Sequence, residues 1–379
     1  TYDAWYWSHP PLYMPKNCNL EDVSKIAKEV SIPVVCAGKM EAVDGAKAIK
    51  DGKIDAMGIA RQFLTDPHWI TKLIEDRPQD ILPCIYCHNG CFNFAHYKGV
   101  ANDQSMEDSK HMSRCALNPM TMDGGKYDYR PAKKQKTIAV IGGGVGGMEV
   151  ARIATKRGHK VTIYEKSDKL GGVFIPAGKM SFKERDRMFL DWQRRQIEKL
   201  GIEVKLNSEI TDLKQIKADE IVIATGSTPK QLKLKGIEKA IEAIDYLNSP
   251  EQVKENVVII GGGLTGCEIA YQLALDGKKP VIVEAKNDLM AVKGLCLANS
   301  SYLRDYFKHN DIPVYLESFV SEIGKNYCLI MDKNGKQTKV KADNVIVSVG
   351  YNPAPLAKQS RHVHVVGDAL KVGNLRTVI

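Results

Sequence analysis

The sequence predicts an α/β fold built from several domains, and three observations carry that prediction. The segment KTIAVIGGGVGGMEVARIATKRGHKVTIYEKS reads as strand, glycine turn, helix and strand, and NVVIIGGGLTGCEIAYQLALDGKKPVIVEAKN repeats the unit 119 residues later. Two shorter helix–strand units precede them near the start of the chain. With 379 residues, 44% of them hydrophobic and 26% charged, the chain has room for two or three cores of this kind.

In chain order, the opening TYDAWYWSHPPLY is loop-like, aromatic and proline-rich, begins at Thr1 instead of Met, and suggests a fragment of a longer protein. LEDVSKIAKEV is amphipathic with helical spacing, IPVVCAG is a short apolar strand ending in glycine, MEAVDGAKAIKDG is a second helix closed by Gly52, and IDAMGIA is a second strand. Alternating helices and strands with glycines at the strand ends predict a parallel α/β structure, barrel or open sheet. CIYCHNGC follows, then YKGVANDQSMEDSKHMS, which has no periodicity. GGKYDYRPAKKQK, residues 124 to 136, combines Gly, Pro and five basic residues and reads as an exposed linker.

The repeated unit carries the most specific chemistry. Gly142, Gly144 and Gly147 form G-x-G-x-x-G directly after a strand, with Ala151 where the helix packs on the sheet, and Glu165 ends the next strand 23 positions after Gly142. The first glycine makes the turn, the second lets a pyrophosphate approach the backbone, and the helix N-terminus supplies donors and dipole. Gly261, Gly263, Gly266, Ala270 and Glu284 repeat every element, with Glu284 again 23 positions on. Glycines serving only tight turns would not predict both acidic residues, so two dinucleotide sites are expected. A carboxylate at the ribose favours the 2′-hydroxyl over a 2′-phosphate, so Glu284 favours NADH, while Lys286 nearby keeps NADPH open.

Composition excludes several classes. The 54 Lys and Arg are scattered among 45 Asp and Glu, so the net charge of +9 makes no basic block and nucleic acid is not an expected partner. No apolar run reaches the roughly 18 residues of a membrane span, and no basic-then-apolar signal opens the chain. Nine cysteines, an odd number, fit reduced cytoplasmic thiols with some used as ligands better than a disulfide framework. Cys84, Cys87 and Cys91 follow C-x2-C-x3-C, and Cys115 lies 24 residues beyond in CALNP. Four thiolates can hold a zinc ion or a 4Fe-4S cluster; a lone fourth cysteine departs from the paired knuckles usual for structural zinc.

IVIATGSTP, VIVSVGYNP and HVVGDA, which place Gly226 and Asp368 after strands, complete a pattern that resembles the two-dinucleotide flavoprotein reductases. That resemblance implies FAD at Gly142, Gly144, Gly147, Glu165, Gly172, Gly226 and Asp368, and the nicotinamide nucleotide at Gly261, Gly263, Gly266 and Glu284. The segment VFIPAGKM after Leu170 to Gly172 has no cysteine, which argues against a disulfide reductase. The cysteine spacing followed by Cys-x-x-Asn-Pro resembles the iron–sulfur subgroup of the old yellow enzyme relatives, which includes 2-enoate reductases, 2,4-dienoyl-CoA reductases and trimethylamine dehydrogenase. It implies a 4Fe-4S cluster on Cys84, Cys87, Cys91 and Cys115, with Asn102 to Ser113 as an inserted surface loop.

VVCAGK and IDAMGIARQFLTDP are similar to the last two barrel strands of that family, which implies FMN phosphate binding at Gly38, Lys39, Ala60 and Arg61. Lys39 stands where the family more often has Arg, and Ala60 where it often has Gly; without the resemblance Lys39 and Arg61 read as solvated surface charges. Tyr2, Trp5, Tyr6 and His9 would line the flavin face, with none assigned as proton donor. The implied fold is the C-terminal part of a (β/α)8 TIM barrel over 1–80, a 4Fe-4S segment and linker over 81–135, an FAD-binding domain over 136–235, an inserted NAD(P)-binding domain over 236–344, and an FAD-domain return over 345–379. The implied activity is reduction of an activated C=C bond of a small-molecule alkene by the relay NADH to FAD to 4Fe-4S to FMN to substrate. An oxidative amine dehydrogenase and a zinc-stapled, non-catalytic nucleotide-binding module are the alternatives, and a homo-oligomer is left open.

Overall fold

The computed structural model describes residues 5–95, 114–127, 129–292 and 295–379. Contacts divide the chain into two compact units, Thr1–Met122 with Gly294–Asp305, and Asp123–Lys293 with Tyr306–Ile379. Among the described residues, no helix is long and apolar enough to cross a membrane.

In the first unit the helix Leu20–Ala27, strand Val35–Ala37, helix Ala42–Lys50 and strand Ala56–Gly58 follow the expected order. The two strands pair in parallel, Val35 opposite Ala56 and Ala37 opposite Gly58, as consecutive units of a (β/α)8 barrel do. Each is three residues long, shorter than the apolar runs that announced them. Gly45 lets the second helix lie flat on the strands, since a Cβ there would stand 2.2 Å from the Met57 sulfur. Cys36, Met40, Ala48 and Ile54 form the small core between them. The helix Arg61–Thr65 starts immediately beyond the second strand and leads to the cysteine segment.

The second unit holds both repeats, each in its own five-stranded parallel sheet. One sheet runs, in spatial order, Val363–Val365, Glu220–Ile223, Thr137–Ile141, Lys160–Tyr164 and Glu203–Lys205. The other runs Val314–Tyr315, Lys279–Val283, Asn256–Ile260, Asn344–Val347 and Ile241–Glu242. Central strands are runs of Val and Ile because a parallel sheet is covered on both faces: Val257, Val258, Ile259, Ile282 and Ile346 are fully buried. Each such side chain contributes roughly 1.5–3 kcal/mol by leaving water.

The segments Ser227–Pro229 and Tyr351–Pro353 pair antiparallel, so the chain leaves and rejoins the first sheet through one two-stranded link. A three-stranded antiparallel sheet, Ser318–Ile323, Tyr327–Asp332 and Gln337–Lys341, completes the second repeat. It is absent from the sequence reading because QTKVK, the outer strand, shows only half-buried alternation.

Candidate functional site: two nucleotide cradles and a cysteine cavity

The two glycine loops have the same geometry. Gly142 and Gly261 lie at φ +104° and +109°, where a side chain would be strained, and a Cβ would reach the carbonyl oxygens of Ala224 and Ser348 at 2.4 and 2.3 Å. Gly147 and Gly266 bring the helix onto the loop: a Cβ there would stand 1.9 and 2.0 Å from the oxygens of Gly142 and Gly261. Around Gly144 and Gly263, by contrast, a Cβ would find no atom within 4 Å. That open space lies at the N-caps of the twelve-residue helices Val145–Lys156 and Leu264–Leu275, where unpaired amides favour an anion.

Both acidic residues are held by their own loops. Glu165 accepts from the Gly143 amide through Oε2 (2.7 Å) and from the Ser167 amide and hydroxyl through Oε1 (both 2.8 Å). Glu284 accepts from the Gly262 amide through Oε2 (2.6 Å) and the Lys286 amide through Oε1 (2.8 Å). A carboxylate offers about four lone-pair sites, so each retains capacity for a ribose hydroxyl. The Lys286 ammonium turns back to the Ala291 carbonyl (3.1 Å). Gly172 lies against Gly144, at 3.3 Å from its Cα for an added Cβ, Gly226 turns at φ +75°, and the Asp368 Oδ1 accepts from the Gly373 amide (3.0 Å).

In the first unit, Cys84, Cys87, Cys91 and Cys115 line one cavity together with Arg61, Thr65, His88 and Gly90. Gly90 explains how Cys115 arrives: the Arg114 amide donates to its carbonyl (3.0 Å), and a Cβ on Gly90 would strike the Arg114 carbonyl oxygen at 2.5 Å. The Asn118 side-chain amide and the Thr121 hydroxyl then fasten this segment to the Leu64 carbonyl (3.2 and 2.6 Å). Gln62 docks the other side, accepting from the Cys84 amide (3.0 Å) and donating to the Leu82 carbonyl (2.8 Å). The expected surface loop Asn102 to Ser113 lies outside the described residues.

Burial and then the neighbouring sulfurs push the Cys87 thiol well above its ordinary range and the Cys91 thiol up to about 12. Burial raises Cys115 as well, against a hydrogen bond with the Thr65 hydroxyl at 3.4 Å. A coordinating metal would oppose that rise and remove the thiol protons outright. Among the described residues no three His, Cys, Asp or Glu side chains converge on a single metal ion. Four cysteines lining one cavity are a donor set that thiolate-bound metal, zinc or iron–sulfur, would use.

The expected phosphate residues are not solvated charges. Lys39, at φ +51° and 7% exposed, donates to the carbonyls of Pro11 and Leu12 (both 3.1 Å) and Met14. These three acceptors match the three donors of an ammonium, so Lys39 clamps the 11–14 segment. Arg61 donates through Nη1 to the Pro10 carbonyl (2.7 Å) and meets His88 Nε2 (2.5 Å). Both cations lie over the Tyr86 ring, 4.8 and 4.7 Å from its centroid. Gly38 keeps φ +120° against Asn19, and Ala60 precedes the helix of Arg61.

Of the aromatic candidates, Tyr2 lies outside the described residues. Trp5 and His9 face each other at 5.5 Å, His9 meets the edge of Phe92 at 4.3 Å, its Nδ1 is 2.9 Å from the Ser8 hydroxyl, and Tyr6 meets Tyr302 at 5.2 Å. Sequence reasoning missed Tyr86, His88, Asn299 and the buried Lys183–Glu268 ion pair at 2.9 Å. For Tyr86 and His88 a signal was present, two bulky residues between closely spaced cysteines; for Asn299 there was none.

The sequence pattern of the pyridine nucleotide-disulphide oxidoreductase family matches residues 120–215 and 204–372. Cinnamate reductase of Clostridium sporogenes is 37% identical over all of this chain and 56% of its own length, and NADH oxidase of Thermoanaerobacter brockii is 31% identical over 93% of this chain and 54% of its own. The chain thus spans about half the length of these relatives. A solved 2-naphthoyl-CoA reductase superposes with a TM-score of 0.84 at 28% identity, over 97% of this chain and 56% of that one. Histamine dehydrogenase from Rhizobium, at 20% identity and a TM-score of 0.77, shares the fold. With its two glycine cradles and matched sequence pattern, this chain belongs to the pyridine nucleotide-disulphide oxidoreductase family.

Proposed function

We propose that the protein containing this chain is an NADH-dependent reductase of activated C=C bonds, adding two electrons and two protons across an enoate, enone or acyl-CoA alkene while NADH becomes NAD+. The observation that carries this is the cysteine cavity: four thiols and Arg61 share one wall, in a chain that also has two dinucleotide cradles. Cinnamate reductase and 2-naphthoyl-CoA reductase, by their names, act on conjugated systems, which supports the substrate class.

The cofactors are assigned from the residues that fit them. Gly142, Gly144, Gly147 and Glu165, with Gly172, Gly226 and Asp368, hold FAD; Gly261, Gly263, Gly266 and Glu284 hold NADH in preference to NADPH. Cys84, Cys87, Cys91 and Cys115 hold a 4Fe-4S cluster, and Arg61 with Gly38 and Ala60 holds the FMN phosphate, Lys39 supplying charge and fixing the neighbouring segment. When bound, the flavins supply hydride and single-electron chemistry and the cluster supplies one-electron transfer. The chain's own work is to bind and orient. The loop amides and helix N-termini neutralise pyrophosphate, Glu284 selects a free 2′-hydroxyl, and the four half-buried cysteines offer thiolate ligands.

Anaerobic purification of the full-length protein, with iron, sulfide and zinc analysis and spectra before and after NADH, tests the reading. About four irons per chain is the expected content, together with loss of the flavin bands on adding NADH and NADH consumption driven by cinnamate or a related enoate. Zinc at the cysteines, or flavin that NADH leaves oxidised, would overturn it.

A further inference from the structure

Three residues far apart in sequence, Arg61, His88 and Asn299, form one hydrogen-bonded row inside the first unit. His88 and Asn299 are 1% and 3% exposed, so neither side chain has water as an alternative partner. The guanidinium only donates, so His88 Nε2, 2.5 Å from Arg61 Nη1, is the accepting nitrogen. Its proton therefore sits on Nδ1, which donates to the Asn299 Oδ1 at 2.9 Å. His88 adopts φ +58°, a conformation unfavourable for a non-glycine residue, and it turns the ring toward these partners.

We propose that His88 and Asn299 are positioning residues that aim Arg61 at an anionic ligand, with Asn299 fixing the imidazole tautomer and the imidazole fixing the guanidinium. The geometry gives the reason. The hydrogen bonds to Pro10 and His88 both fall on Nη1, and the Tyr86 ring supports the guanidinium face. The Nε–Nη2 edge is left to present a planar pair of donors, which suits two oxygens of a phosphate. Fixing that edge in advance removes rotamer freedom that a free arginine would lose on binding. Asn299 lies in the helix Leu297–His309, 211 positions from His88 in sequence, yet belongs to the same compact unit as Arg61 and His88. The ligand is the FMN phosphate if the function proposed above holds, and the inference rests on that reading.

The test uses the full-length holoprotein, FMN retained on serial dilution being the readout and bound FAD and iron the controls. Asn299→Leu keeps the branched shape but cannot accept the Nδ1 proton, and FMN affinity falls about tenfold or more, as for other orienting partners behind a ligand. Asn299→Asp still accepts that proton and holds FMN near the wild-type level. Simple packing predicts the reverse order, Leu tolerated in the core and the buried carboxylate not, and that order would overturn the proposal. If Asn299→Leu does not fold, His88→Gln against His88→Leu asks the same question: Gln offers an acceptor and a donor, and retention by both variants would sink the row. Arg61→Ala separates the two readings. Loss of FMN there, with Asn299→Leu unaffected, overturns the positioning role alone, whereas full retention in Arg61→Ala overturns the phosphate assignment beneath it.

Discussion

The second and third glycines of each loop look interchangeable in sequence and have opposite physical jobs. At Gly266 a methyl would stand 2.0 Å from the Gly261 carbonyl oxygen, so alanine must push the helix off the loop. At Gly263 a methyl meets nothing in the protein within 4 Å and occupies only the open space where the proposed pyrophosphate would lie. Gly266→Ala is therefore expected to lower folding stability by about 1–3 kcal/mol, the usual cost of overpacking. Gly263→Ala is expected to leave the thermal midpoint unchanged and to weaken NADH binding about tenfold, roughly 1.4 kcal/mol. Thermal unfolding and NADH titration of both variants check this, and equal effects on stability would refute the division of labour. Residue by residue, the motif glycines and cysteines were legible because backbone clearance and metal ligation each admit few residue types. Asn299 was not: an asparagine acquires meaning only from the partner that folding brings to it, here a histidine 211 positions away.

Elements are joined as much by single carboxylates as by sheet registers. Glu220, at the start of its strand, meets Lys136 (2.6 Å), which precedes the strand Thr137–Ile141, and reaches His364 (2.9 Å) on the returning strand and His362 (3.4 Å) just before it. Three parallel neighbours are thus tied at one end, and the Lys136 hydrogen bond, then that of His364, draws the carboxyl down to about 2. A depressed carboxyl stabilises the fold above its unfolded pKa, near 4.3, and that contribution is lost as pH falls toward the folded value. Glu220→Gln should therefore unfold at lower denaturant than wild type at pH 7, with a smaller gap at pH 3. Paired denaturation curves measure the gap, and a gap that widens on acidification would contradict the assignment. The parallel strands themselves were legible as Val and Ile runs between glycine turns. Their staple was hidden, because Lys136, Glu220 and His364 are ordinary polar residues until the register places them side by side.

At the scale of the whole chain, the two compact units divide the chemistry: both glycine cradles belong to the second, and all four cavity cysteines to the first. The core of each nucleotide sheet is built from its own residues, Val140, Met148, Ile163 and Val222 in one and Val258, Val281, Ile330 and Val345 in the other, and includes none of the cavity cysteines. Removing a ligand of the proposed cluster should then spare the nucleotide half. In the full-length protein, Cys87→Ser is expected to lose most of its iron, since a buried hydroxyl in place of a thiolate is a poor ligand for this metal. It should retain FAD and keep NADH-driven loss of the flavin band, together with electron delivery to a small artificial acceptor within about twofold of wild type, because substitutions without shared partners act independently. Alkene-dependent NADH consumption should fall below a hundredth, since only that output requires every cofactor to be present. Measuring both activities on one preparation decides the matter. Parallel loss of the two would mean that the cysteine segment is a fold requirement of the nucleotide half, and undiminished alkene reduction would mean that electrons reach the substrate without the cysteines.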